Sequence, residues 1–250
     1  MARQARKKSG SGIYHVMLRG ANRQTIFLEP EDYEKYLQVL AECKAISGCK
    51  IYAYCLMRNH VHLLLQEGDE PIEQIMKRIA VRFVYWYNAK YQRIGHLFQD
   101  RFKSEPVEDD AYLLTVLRYI HQNPVKAGLC GSVSDYRYSS YNDYFSNSSL
   151  IDRDFIFPLL RREDFGEFHR QTSFEQCLEM EPKAAPRLTD QQAQQVLEKH
   201  AGCKNALEFQ RLSSEAKGTA VRSIHGQGVS IRQISRLCGE TKGTIEKWLK

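Results

Sequence analysis

Hydrophobic positions along the first half of the chain follow two periods, and each change of period predicts a new element. Short apolar runs rich in β-branched and aromatic residues predict strands, at 13–19, 49–57, 60–66 and 103–108. Apolar residues three and four positions apart predict helices, at 31–47, 70–91 and 109–122. Gly48 and Pro124 are expected to end the first and last helices, and Asp109 or Asp110 to cap the last one.

The predicted order β-α-β-β-α-β-α is that of an α+β fold, a ferredoxin-like split βαβ sandwich with an antiparallel sheet, helices and one added helix. From Leu188 onward the pattern is helical throughout, which predicts a small all-α domain. We therefore expect a first domain at 1–165, a linker or short helix at 166–186 and a helical domain at 187–250. Because this fold hosts many activities, function must be argued from a site.

Within the helical domain, 229–239 and 240–249 predict two helices joined by a tight glycine turn, which is typical of a helix-turn-helix. The alternative is a plain helical interaction domain. In a helix-turn-helix the second helix enters the major groove of duplex DNA. Lys242 and Thr244 would then lie nearest the base edges, and Arg232 and Arg236 nearest the phosphates.

Two histidines stand out in the third predicted strand. His60 and His62 leave the same face of a strand, while Val61 between them points into the core. Two imidazoles side by side on a rigid strand can hold a divalent metal. The alternative is a pair of histidines that is merely hydrogen-bonded in the sheet.

The last predicted helix carries a second pair of polar residues. Tyr119 and Asn123 are four positions apart and share a helical face. If this face packs over the histidine strand, a phenol and an amide join the two imidazoles. The alternatives are a core aromatic for Tyr119 and a helix stop for Asn123, which precedes Pro124.

Composition and charge narrow the class of protein. The apolar fraction is 42%, no apolar run approaches the roughly 20 residues that span a bilayer, and we expect no membrane contact. Seven scattered cysteines predict reduced thiols and a cytoplasmic location, without a cysteine zinc site. The net charge is +6, with basic excess in 1–24 and 183–250, which is compatible with nucleic-acid contacts at both ends.

Taken together, these motifs resemble the HUH single-tyrosine transposases, specifically the REP-associated tyrosine transposases. The resemblance covers about residues 10–165, and its matching segments are 14–20, 57–64, 95–102, 119–129 and 138–141. Its specific part is the pair formed by a histidine-hydrophobe-histidine strand and a downstream Tyr-x-x-x-Asn-Pro helix.

The resemblance implies a metal-dependent single-stranded DNA endonuclease and strand transferase. His60 and His62 match the family's metal-binding histidines, Tyr119 matches its nucleophile, and Asn123 its third ligand, with Gln122 as the alternative. Attack by the tyrosine would give a covalent 5′-phosphotyrosine. Two nitrogens and one oxygen would leave positions open for water, which suits Mg²⁺ or Mn²⁺.

The expected partners are single-stranded hairpin DNA and, through the helical domain, flanking duplex DNA. Candidate contacts to the DNA backbone are Arg19, Arg23, Lys77, Arg78 and Arg82, although the last three could be an ordinary solvated helix face. We expect either a monomer or a homodimer. The rival interpretation is a non-catalytic DNA-binding protein, such as a repressor, that keeps the transposase scaffold.

Overall fold

The computed structural model describes residues 6–171, 177, 178, 188, 190–203 and 205–249. The chain divides into two compact units, Met1–Glu179 and Met180–Lys250, and each has a hydrophobic core of its own. Within the described residues, no helix is both long enough and apolar enough to cross a bilayer.

The first unit contains a four-stranded sheet and the helices that cover it. Its strands are β1 (Ile13–Arg19), β2 (Lys50–Met57), β3 (His60–Gln66) and β4 (Lys103–Pro106). Its helices are α1 (Pro30–Ser47), α2 (Ile72–Lys90), α3 (Asp110–Lys126) and α4 (Phe165–Arg170). Short 3-10 turns connect several of these elements.

The sheet has the strand order β2-β3-β1-β4, and every neighbouring pair is antiparallel. Helix α3 packs on β2 and β3, whereas α1 and α2 pack against each other. Met76 of α2 lines a cavity with Leu18, whose side chain leaves the opposite face of β1 from Arg19. Helix α2 therefore covers the face of the sheet that the histidines do not use, and the fold is the predicted α+β split βαβ sandwich.

The ends of the helices follow local chemistry, with one correction. Gly48 ends α1 in the left-handed conformation, at φ 63°, and the Asp109 side chain caps α3 by accepting from the Tyr112 amide at 2.7 Å. The prediction that α3 ends at Gln122 is wrong, because the helix continues through Pro124 to Lys126. Proline removes only one amide donor.

The amides that follow Pro124 close the end of this helix. Ala127 donates to the Asn123 carbonyl at 3.0 Å, and Leu129 donates to the Pro124 carbonyl at 2.9 Å. Asn123 therefore keeps helical geometry and stays on the same face as Tyr119. Because of this extra turn, the side chains of Tyr119 and Asn123 project from the same side of α3.

Helix α4 begins at Phe165 and continues into the segment 166–186, for which a linker or a short helix was expected. Phe165 and His169 are buried in the first unit, so this unit extends past the predicted boundary at 165. Residues 172–176 and 179–187 of that segment lie outside the described residues.

The second unit is helical, as its sequence pattern predicts. Its helices are α5 (Asp190–Ala201), α6 (Ala206–Gln210), α7 (Ser214–Gly226), α8 (Ile231–Cys238) and α9 (Lys242–Leu249). Ser230 and Gln233 form a capping box at the start of α8, and Gly239 ends it at φ 68°. Ile234 and Ile245 are fully buried where α8 and α9 pack together.

Candidate active site

The two histidines of β3 project from the face of the sheet that α3 covers. His60 lies opposite Arg19 of β1, and His62 lies opposite Met17. The two rings have centroids 5.0 Å apart, while Val61 is buried on the other face. The expected sharing of one face by His60 and His62 is therefore present in the structure.

A third histidine, which sequence reasoning did not select, joins this pair. His15 lies on β1 two residues before Met17, and its Nε2 is 3.0 Å from Nδ1 of His62. Burial lowers the pKa of His15 to about 3. Burial, followed by the neighbouring His15 and His60, places the pKa of His62 well below its usual value. Both rings are thus neutral near pH 7, and neutral imidazole is the form that binds metals.

The ring of His60 is neutral for similar reasons. Burial, together with the positive charge of Arg19, lowers its pKa to about 4. Its Nδ1 lies 2.7 Å from the side-chain oxygen of Asn59. Since a carboxamide oxygen can only accept, Nδ1 of His60 donates this bond. The other nitrogen of the neutral ring, Nε2, keeps its lone pair for a ligand.

Helix α3 brings the phenol and the amide to these rings. The Tyr119 ring centroid is 5.6 Å from that of His62 and 5.7 Å from that of His15. The Asn123 side-chain nitrogen, Nδ2, lies 3.5 Å from Nε2 of His62, to which it can donate. The four candidate residues of the sequence analysis are therefore together, because α3 packs with its Tyr119–Asn123 face on β3.

Gln122 faces another part of the first unit. Its side-chain nitrogen donates to the carbonyls of His169 at 2.7 Å and Gln171 at 2.9 Å. The side chain is thus committed to the segment around α4. This geometry favours Asn123 over Gln122 as a ligand beside the histidine pair.

The donor set fits a divalent ion with open coordination positions. The lone pairs available are those of two neutral imidazoles, His60 and His62, with the Asn123 amide beside them. Among the described residues, no group of three or more histidine, cysteine or acidic side chains could hold a metal. An ion here would depend on the mixed nitrogen and amide-oxygen set and would complete its shell with water or phosphate oxygens.

Two positive charges flank the phenol and the histidines. Arg19 lies beside His60, and its Nε is buried with no hydrogen-bond partner in the described part of the chain. The Lys126 ammonium is 5.0 Å from the centroid of the Tyr119 ring. Sequence reasoning missed Lys126, although Tyr119, Asn123 and Lys126 follow one another at helical spacing.

Of the other predicted DNA contacts of the first unit, Arg23 lies near this cluster, since its carbonyl accepts from the Asn59 side chain at 3.4 Å, and the three on α2 lie away from it. Arg78 pairs with Glu70, and Arg82 lies 3.0 Å from Glu42. Lys77 lines the cavity beneath α2, on the opposite face of the sheet from the histidines. Arg23 is exposed in the turn that follows β1.

The candidate residues of the second unit lie on α8 and at the start of α9. Arg232 and Lys242 are exposed. Arg236 is 2.8 Å from Asp190 and so forms a surface ion pair. The hydroxyl of Thr244 is 2.9 Å from that of Thr241, which also accepts from the Thr244 amide at 3.2 Å.

Comparison with known proteins identifies tyrosine transposases as relatives of this chain. Residues 8–123 match the family model described as IS200-like transposase. A Haemophilus influenzae protein assigned to the REP-associated tyrosine transposases is 31% identical over 101 residues, which cover 36% of this chain and 57% of that protein. The REP-associated tyrosine transposase of Escherichia coli is 26% identical over 137 residues, which cover 54% of this chain and 78% of that one.

A solved structure supports the fold. It is a REP-associated tyrosine transposase bound to a REP hairpin, and it superposes with a TM-score of 0.52 at 21% identity. The match covers 59% of this chain and 87% of that one. The fold is thus that of the single-tyrosine transposases, and the part of the chain that matches the IS200-like family model is residues 8–123. The resemblance to REP-associated tyrosine transposases, inferred from sequence, is confirmed.

Proposed function

We propose that the protein cleaves and rejoins single-stranded DNA through a covalent bond to Tyr119, with a divalent ion beside it. One observation carries this proposal. Helix α3 holds the Tyr119 ring 5.6 Å from that of His62, and one turn later it brings the side-chain amide of Asn123 to the same ring, with its nitrogen Nδ2 3.5 Å from His62 Nε2. A nucleophile and a set of metal donors are thereby fixed on two packed elements.

The reaction exchanges one phosphate ester for another. The Tyr119 hydroxyl oxygen attacks the scissile phosphorus and forms a Tyr–O–P bond to the 5′ side of the break. The P–O3′ bond breaks, the phenolic proton passes to solvent, and the departing 3′ oxygen takes up a proton. Attack by another strand's 3′-OH reverses the step, restores the tyrosine and joins DNA.

The side chains of the site have different roles in this reaction. His60, His62 and Asn123 would hold Mg²⁺ or Mn²⁺, which when bound polarises the scissile phosphate. Arg19 lies beside His60 and offers its guanidinium to a phosphate oxygen. The Lys126 ammonium, 5.0 Å from the Tyr119 ring, favours negative charge on the attacking oxygen.

The proposed substrate is hairpin DNA with a single-stranded flank, in line with the REP hairpin bound by the solved relative. The basic N-terminal segment and the basic second unit supply sequence-independent attraction to its backbone. Duplex DNA beside the cleavage site is the proposed ligand of α9, where Lys242 is exposed near the start of the helix.

The test is incubation of the full chain with end-labelled hairpin DNA and Mn²⁺, followed by a denaturing gel. We expect a protein–DNA adduct that vanishes in Tyr119→Phe and persists in Tyr112→Phe, a matched loss of a hydroxyl on the same helix. Tyr119→Phe should still bind the hairpin. If the wild type binds hairpins without ever forming an adduct, the non-catalytic DNA-binding alternative is correct.

A further inference from the structure

His15 has no part in the donor set described above, yet its ring forms a direct hydrogen bond to a proposed ligand. Its Nε2 is 3.0 Å from His62 Nδ1, and both side chains are buried. They are diagonal neighbours on one face of the β1–β3 ladder, since His15 pairs with Leu64 and His62 with Met17. The bond therefore depends on the register of the two innermost strands.

The direction of this bond follows from what a metal ligand requires. A ring nitrogen that binds a metal must offer its lone pair, and Nε2 of His62 is the nitrogen that faces Asn123. The neutral His62 ring must then carry its proton on Nδ1, which donates to Nε2 of His15. His15, also neutral, must carry its own proton on Nδ1.

We propose that His15 is a positioning residue that fixes the tautomer and orientation of His62, so that Nε2 of His62 is presented to the metal. The inference rests on the proposed function, because it assumes that His62 binds an ion. A hydrogen-bond acceptor behind a ligating imidazole raises the basicity of the ligand and restrains its ring. His15 supplies that acceptor from a neighbouring strand.

The far end of His15 points to a third member of this relay. Its Nδ1 is buried and has no hydrogen-bond partner among the described side chains and backbone. Glu105 of β4 is the cross-strand partner of His15. Its carboxylate is hydrogen-bonded to the Tyr112 hydroxyl, while its Oε2 is buried and without a partner in the described part of the protein. Side chains of such a pair leave the same face of the sheet, with Cβ atoms about 5 Å apart.

A carboxylate in that position complements the proton on His15 Nδ1. Its negative charge favours the tautomer of His15 that leaves Nε2 free to accept from His62. The order Glu105, His15, His62 thus runs across the sheet from β4 through β1 to β3. In this order His15 would orient His62, and of the three residues only His62 would bind the ion.

The inference is tested on the full chain with two substitutions of His15 and one matched control. His15→Leu removes the acceptor, whereas His15→Gln places a carboxamide oxygen near the position of Nε2. Met17→Leu changes a buried side chain on the same face that lies opposite His62 without a polar contact. Mn²⁺ affinity is measured from the free-ion electron paramagnetic resonance signal, and imidazole ¹⁵N shifts report the tautomer of His62 without metal.

We expect His15→Leu to weaken Mn²⁺ binding by about 10- to 100-fold, the usual loss when the outer partner of a ligating histidine is removed. His15→Gln should recover most of that loss, and Met17→Leu should bind like the wild type. In the metal-free wild type, His62 should carry its proton on Nδ1. In His15→Leu it should show a mixture of tautomers.

Two outcomes overturn the inference while leaving the metal site intact. One is equal Mn²⁺ affinity in the wild type and His15→Leu, and the other is a wild-type His62 protonated on Nε2. The second measurement needs no variant, so it stands even if His15→Leu fails to fold. Failure of the wild type to bind Mn²⁺ at all overturns both the proposed metal site and the role of His15.

Discussion

The first unit contains two pairs of buried, hydrogen-bonded histidines, and they differ in what surrounds them. The His15–His62 pair is bonded at 3.0 Å and the His121–His169 pair at 2.8 Å. Burial is the main cause of a lowered pKa in all four rings. The two pairs differ in the partners of their outer ring nitrogens, which are the nitrogens that take no part in the histidine–histidine bond.

The His121–His169 pair is closed. Nδ1 of His169 donates to the Phe165 carbonyl at 2.8 Å, so its Nε2 must accept from His121. Nε2 of His121 then accepts from the Ser140 hydroxyl at 2.7 Å. Every nitrogen of this pair has a partner within the protein, and the bonds fasten α4 to α3.

The His15–His62 pair is open at both ends. Among the described residues, Nε2 of His62 has one hydrogen-bond partner, the Asn123 side-chain nitrogen at the long distance of 3.5 Å, and Nδ1 of His15 has none. An imidazole–imidazole bond therefore has a structural role where the outer nitrogens of both rings are hydrogen-bonded to other protein groups. Where one end is left available, it can serve a ligand.

The largest expected effect separates the two pairs directly. His62→Ala should abolish the DNA adduct and remove the rise in melting temperature that Mn²⁺ gives the wild type, because the ion loses a nitrogen ligand. His121→Ala should keep both properties while lowering the free energy of unfolding by about 1–3 kcal/mol, since buried partners lose their bonds. Gel assays and melts with and without Mn²⁺ measure this. If Mn²⁺ still stabilises His62→Ala, the His15–His62 pair has only a structural role.

The next effect concerns neighbouring amides on α3. Asn123→Leu should weaken Mn²⁺ binding by at least about 10-fold, because losing a ligand costs no less than losing a ligand's outer partner. Gln122→Leu should bind Mn²⁺ normally but unfold more easily, because the carbonyls of His169 and Gln171 lose their donor. Mn²⁺ titration and urea unfolding measure the two effects. The reverse pattern would make Gln122 the third ligand.

A smaller effect concerns pH and the closed pair. Burial, opposed in part by the bond to the Phe165 carbonyl, lowers the pKa of His169 to about 4 from its ordinary value of 6.5. The unfolded chain therefore binds this proton first as pH falls. The stability tied to neutral His169 is complete above pH 6.5 and is lost progressively down to about pH 4, by about 1.4 kcal/mol per pH unit.

Arg118 is the charged group that faces His169 and also opposes its protonation, and the titratable neighbour His121 has a lowered pKa of its own. His169→Gln keeps an acceptor for His121 but cannot titrate. Its free energy of unfolding, measured in urea from pH 7 to pH 4, should therefore fall less steeply than that of the wild type. Parallel curves for the two proteins would mean that His169 is not the titrating group.

The smallest expected effect concerns the second unit, where one basic side chain is ion-paired and another is exposed. Arg236 is committed to Asp190 at 2.8 Å, whereas Lys242 is exposed near the start of α9. Lys242→Ala should reduce discrimination between flanking duplex sequences by about 1 kcal/mol, the low end for a base contact. Arg236→Ala should change it less. Competition binding at several salt concentrations tests this, and equal binding by both variants and the wild type argues for an interaction role.

Local patterns were enough to predict the elements and part of the site. Alternation along one strand places His60 and His62 on one face, and helical spacing pairs Tyr119 with Asn123, because these relations depend only on residues near each other in sequence. The sequence did not reveal that α3 continues through Pro124. That outcome depends on amides beyond the proline finding acceptors in the last turn.

The contribution of His15 depends on relations that are distant in sequence. It meets His62 only because β1 pairs with β3 in one particular register, and a shift of one residue would turn it to the other face. The ion pairs of Arg78 and Arg82 with Glu70 and Glu42 likewise join separate elements or turns. A basic helix face therefore looks more available in the sequence than it is in the fold.

The strand order β2-β3-β1-β4 has a consequence for hydrogen exchange. The innermost strands, β3 and β1, carry His62 and His15, while fraying of the sheet is expected to begin at the short outer strand β4, since the outer edge of β2 is hydrogen-bonded to residues 138–140. Amides of inner strands generally exchange only through large openings, whereas those at edges exchange through small ones. The proposed ligands should therefore stay assembled during local fluctuations, and the amides of β1 and β3 should be among the last in the first unit to exchange with deuterium.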